Sequence, residues 1–263
     1  MSASPSGSGF SIALLGGGTV GAAVARGLVS RYEEWGIEIA GIAVRDVAKA
    51  EAAGLGKIAP LTTDPAALAA SDVDLVVELM GGLDPALGVV ESALKAGRPV
   101  VTANKLLLAN FGARLESLAR ASGAALRFES AVAAGVPIIG VLARDMAANE
   151  ITAIKGIING TTNYILTKME SEGWSYEQAL AEAQKIGYAE ADPRSDVEGE
   201  DAAAGIGVVE GVVIESGVVA VEVGQAEAHA VDLLLEARTG RDVAQRIELL
   251  VRRRNLLRLP QHR

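Results

Sequence analysis

The 263-residue chain contains no cysteine, which rules out both a disulfide framework and a thiolate metal site and leaves its redox compartment open. Its only histidines, His229 and His262, are too few and too far apart for a histidine-rich metal site. Basic residues are outnumbered, 24 against 33 acidic, giving a formal net charge of -9 and a pI near 4.9. A surface of that sign repels nucleic-acid phosphates and anionic membranes, so no nucleic acid and no membrane are expected as partners, and a small-molecule substrate is. No uninterrupted apolar run approaches the roughly 18–20 residues of a membrane-spanning helix. Residues 1–9 have neither a basic nor an apolar segment of a secretory signal; they read as a disordered lead-in, with the cytoplasm the expected location.

Aromatics are also scarce, at 3%, while 50% of the residues are hydrophobic, so Ala, Val, Leu and Gly must build the core. From Phe10 the pattern alternates. Apolar runs at 10–15, 37–44, 73–79, 99–103 and from Ala125 read as strands, and the stretches between them as helices: from Ala22 to Leu28, near Val47–Ala53, Pro65–Ala70, Pro85–Ala96, and from Lys105 to about Ser122. Near-continuous apolar strands alternating with helices predict an α/β fold, a Rossmann-type doubly wound parallel sheet over residues 10–150. Around Ile151 the texture changes. The segment ITAIKGIIN suggests a strand of a second sheet and opens a substrate domain, expected over 151–203, of α+β type and incomplete. Helices follow at Thr161–Glu172 and, capped by Ser175, to about Lys185 with a stop at Gly187.

Gly16, Gly18 and Gly21 stand in G-x-G-x-x-G spacing directly after the first strand and at the opening of the first helix. In that context the pattern is a dinucleotide fingerprint: the first glycine allows the tight turn, the second lets backbone approach a pyrophosphate, and the third permits close helix packing. The helix N-terminus, with Thr19 and Val20 in the same loop, supplies free N–H groups and a partial positive charge. The second strand ends Val44-Arg45-Asp46. Arg45, first past the strand, favours the 2′-phosphate of NADP; Asp46 beside it keeps NAD open, and either residue could be a solvated loop charge.

Four further segments are VELMGG (77–82), TANK (102–105), NGTTNYIL (159–166) and GYAEADPRSDVEGED (187–201). With the glycine loop they resemble homoserine dehydrogenases over most of residues 10–203, the last segment following the family signature closely. The resemblance implies NAD(P)H-dependent reduction of L-aspartate 4-semialdehyde to L-homoserine, a step toward threonine, isoleucine and methionine, by a homodimer. It implies that Glu190 and Asp201 bind the substrate's amino group and hydroxyl. Lys105 would lie where cofactor and substrate meet and stabilise charge on the reacting oxygen, and Gly187 would contribute to the cofactor site. The stretch 128–136 resembles the family's monovalent-cation loop, in which Glu129 and the carbonyls of Val132, Ala134 and Val136 would hold sodium; oxygen-only ligands suit such a hard cation. Without the resemblance, the acidic run from Glu190 to Asp201 reads as a solvated loop.

The pattern breaks after Ala203. The family's proton-donor lysine, four residues beyond Asp201 and therefore on the same helix face, is here Gly205, and no lysine follows Lys185. Residues 204–263 contain no Phe, Tyr or Trp and take basic charge from arginine alone, apart from the histidines. That bias is typical of out-of-frame reading of GC-rich DNA, so a frameshift or assembly error after Ala203 is the expectation; a genuine divergent tail is the rival account and also fits the residues, since 231–259 have helical spacing. Either way, an unfinished second sheet is expected to favour association. A catalytically silent dinucleotide-binding protein is the second functional expectation.

Overall fold

The structure, a computed structural model, describes residues 9–32, 35–133, 135–149, 153–157, 159–189, 192–199, 201–202, 204–206, 208–209 and 220–223. Ala134, Glu190, nearly all of the expected lead-in and most of the tail lie outside the described residues. The chain divides into two compact units, residues 1–140 and 141–263.

In the first unit, six parallel strands stand in the order β3-β2-β1-β4-β5-β6: β1 Phe10–Leu15, β2 Ile37–Ala43, β3 Leu61–Thr62, β4 Leu75–Glu78, β5 Val100–Thr102 and β6 Leu126–Arg127. The helices between them are α1 Thr19–Tyr32, α2 Val47–Ala52, α3 Pro65–Ala70, α4 Ala86–Lys95 and α5 Lys105–Ser122. This is the expected Rossmann-type doubly wound sheet. Ile12–Leu15 of β1 are all buried, because helices cover both faces of a parallel sheet and leave no face for polar residues. β3 was not anticipated from the sequence. Two residues at a sheet edge are too short to show any periodicity.

Local chemistry fixes where the helices begin. Asp46 and Asp64 accept the N–H groups of Lys49 and Ala67, each at 2.9 Å, to cap α2 and α3, and Pro65 sits in the first turn of α3, where its missing N–H costs nothing. Asn104 caps α5, which Gly123 ends in the left-handed conformation at φ 72°. Because β1 and β4 are neighbours, the chain winds out to β3 on one side and β6 on the other. The crevice above the carboxyl ends of β1 and β4 is the switch point where such sheets bind ligands.

The second unit contains β7 Ala153–Gly156, α6 Gly160–Glu172, α7 Tyr176–Lys185, α8 Arg194–Val197 and β8 Ala220–Val223. Ile165, Ala179, Ala183, Ala189 and Val197 form its helical core. Small alanines facing a single isoleucine let α6 and α7 approach closely. β8 comes from the tail, the stretch read as lacking the strand pattern that completes this domain, and it pairs in parallel with β7 from Ala153↔Ala220 to Gly156↔Val223. Its Val-Glu-Val core has the β-branched composition of a strand, but four residues amid Gly/Val-rich sequence give no contrast to read.

Ser175 closes a full capping box on α7: its hydroxyl accepts the Gln178 N–H at 3.3 Å and its own N–H donates to the Gln178 side chain at 3.0 Å. Ser175→Ala is therefore expected to lower the stability of this unit by about 0.5–2 kcal/mol. Urea unfolding followed by the fluorescence of a Trp35→Phe background, leaving Trp174 as reporter, measures it; an unchanged midpoint would show that the cap contributes nothing.

Candidate dinucleotide-binding and carboxylate sites

The glycine loop turns between β1 and α1 with φ 111° at Gly16, a value side-chain-bearing residues rarely adopt. A Cβ at Gly16 would lie 2.5 Å from the Leu79 carbonyl oxygen, and one at Gly21 only 1.8 Å from the Gly16 carbonyl oxygen. The turn is thus pressed against the end of β4 below and against α1 above. At Gly18 a Cβ would meet nothing within 4 Å, so this glycine is not demanded by the protein's own packing. Space left open over exposed backbone at a helix N-terminus fits a pyrophosphate, as does the absence of acidic residues from the first turn of α1. Thr19 and Val20 are exposed beside it.

At the end of β2, Val44 is buried and Arg45 exposed. Asp46 Oδ1 accepts the Lys49 N–H and so caps α2.

The carboxyl ends of β4 and β5 carry a group of buried polar residues. Glu78 and Thr102 are fully buried and Asn104 is 5% exposed. Thr102 donates its hydroxyl to Glu78 Oε2 at 2.6 Å, and Glu78 Oε1 accepts the N–H groups of Met80 at 2.8 Å and Gly81 at 3.3 Å. The N–H of Asn104 donates to Thr102 Oγ1 at 3.0 Å; its amide donates to the Gly82 carbonyl at 2.6 Å and accepts the Leu107 N–H at 3.1 Å. Lys105 is the first residue of α5, half-buried. Cations are disfavoured at a helix N-terminus, so local helix energetics do not account for this lysine. Reading the sequence missed Glu78 and Asn104 as site residues; the available signal was a lone carboxylate ending an otherwise apolar strand.

In the 128–140 segment, the Glu129 carboxylate accepts the N–H groups of Ile139 and Gly140, each at 2.8 Å, and Ala133 has φ 53°. Each carboxylate oxygen retains a lone pair. Among the described residues, no group of three or more His, Cys, Asp or Glu side chains comes together as a metal site. Val132 is buried and Val136 exposed.

In the second unit, the 159–166 and 187–201 segments come together. Asn159, buried at the N-cap of α6, donates from its amide to Asp196 Oδ1 at 2.9 Å and to Asp201 Oδ2 at 3.0 Å. Thr161 donates to the Tyr188 carbonyl at 2.9 Å, and the rings of Tyr164 and Tyr188 stack with centroids 5.0 Å apart. One asparagine thus holds two carboxylates, so Asp196 and Asp201 are not part of a freely solvated loop. Gly187, at φ 80°, ends α7 by the left-handed turn that returns the Tyr188 N–H to the Ala183 carbonyl. Gly205 is helical and buried, four residues on from the helical Asp201.

Asp192 does fit the solvated description. It is exposed and paired with Arg194, whose guanidinium and N–H hold its carboxyl down at about 2. A depressed folded pKa means that the pair's contribution is present at pH values above the ordinary carboxylate range and is lost as pH falls toward 2. An NMR titration should place the Asp192 midpoint near 2 and return it to the ordinary range in Arg194→Ala; a normal midpoint in the unaltered chain would contradict the pairing.

Residues 16–129 match the family model "Homoserine dehydrogenase, NAD binding domain", and residues 137–249 match the model "Homoserine dehydrogenase". The homoserine dehydrogenase of Corynebacterium glutamicum is 45% identical over 226 residues, covering 82% of this chain and 50% of that protein. The chain spans about half the length of the curated relatives it matches. The crystal structure of a homoserine dehydrogenase from Thiobacillus denitrificans superposes with a TM-score of 0.71 at 43% identity, covering 78% of this chain and 48% of that one. A hyperthermophilic archaeal homoserine dehydrogenase in complex with NADPH gives a TM-score of 0.67 at 31% identity, covering 78% and 69%. With the glycine turn, the Glu78–Asn104 edge and the Asn159 clamp falling inside the matched segments, the chain belongs to the homoserine dehydrogenase family.

Proposed function

We propose that the chain catalyses NAD(P)H-dependent reduction of L-aspartate 4-semialdehyde to L-homoserine, slowly. The observation that carries this reading is the Asn159 clamp. It joins the 159–166 segment to the 187–201 segment, which follows the family signature closely, and leaves carboxylates held in a defined arrangement. Asp201, with Glu190, would bind the substrate's amino group and hydroxyl. Gly16, Gly18, Thr19, Val20 and Gly21 would hold the pyrophosphate, Gly187 would contribute to the cofactor site, and Arg45 would bind the 2′-phosphate of NADP. Glu129 with the carbonyls of Val132, Ala134 and Val136 would hold a sodium ion.

The nicotinamide supplies the hydride when bound. The chain's own residues orient the aldehyde and stabilise charge on its oxygen through the Lys105 ammonium. Gly205 carries no proton, so protonation of the developing alkoxide falls to Lys105 or water; missing a general acid slows such a step by roughly 10²–10⁴-fold. This same residue favours a second reading, a silent dinucleotide binder. Mixing the purified full chain with NADPH and aspartate semialdehyde and following NADPH absorbance separates the two. Slow, substrate-dependent oxidation is expected; NADPH binding without oxidation supports the silent binder, and no binding at all sinks both.

We infer further that the stretch after Ala203 is a diverged continuation of the family rather than an out-of-frame product. Its support is the family-model match running through residue 249 and the pairing of β8 with β7. Sequencing the DNA for residues 201–213 in all three frames tests it, because a frame restoring lysine at 205 and an apolar helix would overturn it.

A further inference from the structure

We propose that Glu78, Thr102 and Asn104 are positioning residues that shape the nicotinamide half of the dinucleotide site without touching the adenosine half. The proposal rests on the dinucleotide reading above. Among the described residues of the first unit, the buried polar side chains are Glu78, Glu91, Thr102 and Asn104. Glu91 is accounted for by an ion pair to Lys95 at 3.2 Å within α4 and one to Arg114 at 2.7 Å that ties α4 to α5. The other three form one connected cluster at the carboxyl ends of β4 and β5.

A buried carboxylate is costly to maintain, and sheet integrity does not require one here: β1 and β2 end in Leu15 and Ala43, both buried and apolar. Glu78 is sustained by donors that converge on it from the loop after β4 and from the last residue of β5. Through Oε1 it draws the Met80 and Gly81 N–H groups inward, and through Oε2 it holds Thr102. Thr102 in turn accepts the Asn104 N–H, and the Asn104 amide reaches back to the Gly82 carbonyl. The hydrogen bonds close a ring. It makes the 79–82 loop and the first turn of α5, which begins with Lys105, a single rigid piece. Gly81 and Gly82, at φ 73° and 69° with nothing within 4 Å of a would-be Cβ at either, form the open rim of that piece.

The position of the ring along the sheet assigns its ligand. Arg45 follows β2, the glycine turn follows β1, and the strand order continues to β4 and β5. A dinucleotide with its phosphates at the turn and its adenosine half toward β2 places its other half over β4 and β5. The ring therefore borders the nicotinamide and its ribose, and leaves the adenosine half alone.

The test compares two ligands by calorimetry on the full chain: NADPH and 2′-phosphoadenosine 5′-diphosphate, which keeps the adenosine half and both phosphates but lacks the nicotinamide and its ribose. Thr102→Val removes the hydroxyl that links Glu78 to Asn104 while keeping the side-chain shape. It is expected to weaken NADPH binding roughly 10-fold or more and to leave 2′-phosphoadenosine 5′-diphosphate binding unchanged, with Thr102→Ser restoring NADPH affinity. Glu78→Gln keeps an oxygen for Met80 and Gly81 but offers a donor toward Thr102, and should discriminate in the same direction. Parallel loss of both ligands would reveal a merely structural role and overturn the proposal, as would no change in either. A wild-type chain that binds neither ligand fails at the dinucleotide reading itself and takes the proposal down with it, an outcome visible before any variant is made.

Discussion

Gly205→Lys is expected to raise the rate of NADPH oxidation by aspartate semialdehyde by roughly 10²–10⁴-fold, the usual contribution of a positioned general acid. Asp201 and residue 205 are both helical and four apart, so their side chains stack on one face, and a lysine stem at 205 leans back along the helix toward Asp201. Burial of Gly205 makes the substitution a test of fit as well as of chemistry. Gly205→Ala is the control. Relative to glycine, alanine favours a helix by roughly 0.5–1 kcal/mol but carries no proton, so it is expected to leave turnover where it was. If lysine gives no more rate than alanine while both variants bind NADPH and melt like the parent chain, the missing acid is not what limits this protein.

Gly21→Ala is expected to damage both folding and dinucleotide binding. Its Cβ would sit 1.8 Å from the Gly16 carbonyl oxygen, a contact relieved only by pushing α1 away from the turn. Overpacking of this kind costs about 1–3 kcal/mol, and it moves the N–H groups of the first turn of α1 off the pyrophosphate. NADPH affinity should fall by about tenfold or more and the melting temperature should drop with it. Gly18→Ala separates the two effects, since its Cβ meets no protein atom within 4 Å. Stability should be unchanged and affinity lost, because only the ligand competes for that space. A Gly18→Ala chain that binds NADPH normally would show that the phosphates do not approach there.

Much of the first unit was legible because its signals are local. The alternation of apolar runs with capped helices placed strands and helices within a residue or two for β1, β2, β4, β5 and α2 to α5, and the glycine spacing marked the turn. Ser175, three residues before Gln178, announced the start of α7 in the same way. β3 and β8, of two and four residues, did not announce themselves. Their pairing is supplied by partners elsewhere in the chain, Ile42 and Ala43 for β3 and Ala153 to Gly156 for β8.

The candidate sites divide along the same line. Gly16 and Gly21 could be named from sequence because each occupies a fixed offset from a strand end, and backbone geometry at that offset restricts which residue works; Lys105 was named only through the family resemblance of the 102–105 segment. Glu78 and Asn104 could not, because their roles depend on neighbours 24 and 22 positions away, Thr102 and Gly82, that only the folded sheet brings within hydrogen-bonding distance. Asn159 likewise reads locally as a helix cap; it becomes a clamp only when Asp196 and Asp201, 37 and 42 residues on, fold back onto it. The sequence by itself determined the class of fold and the glycine turn of a dinucleotide-binding sheet. The tertiary structure decided which carboxylates are held, which are merely solvated like Asp192, and which is buried at the switch point, because burial and pairing of charge are properties of residues distant along the chain.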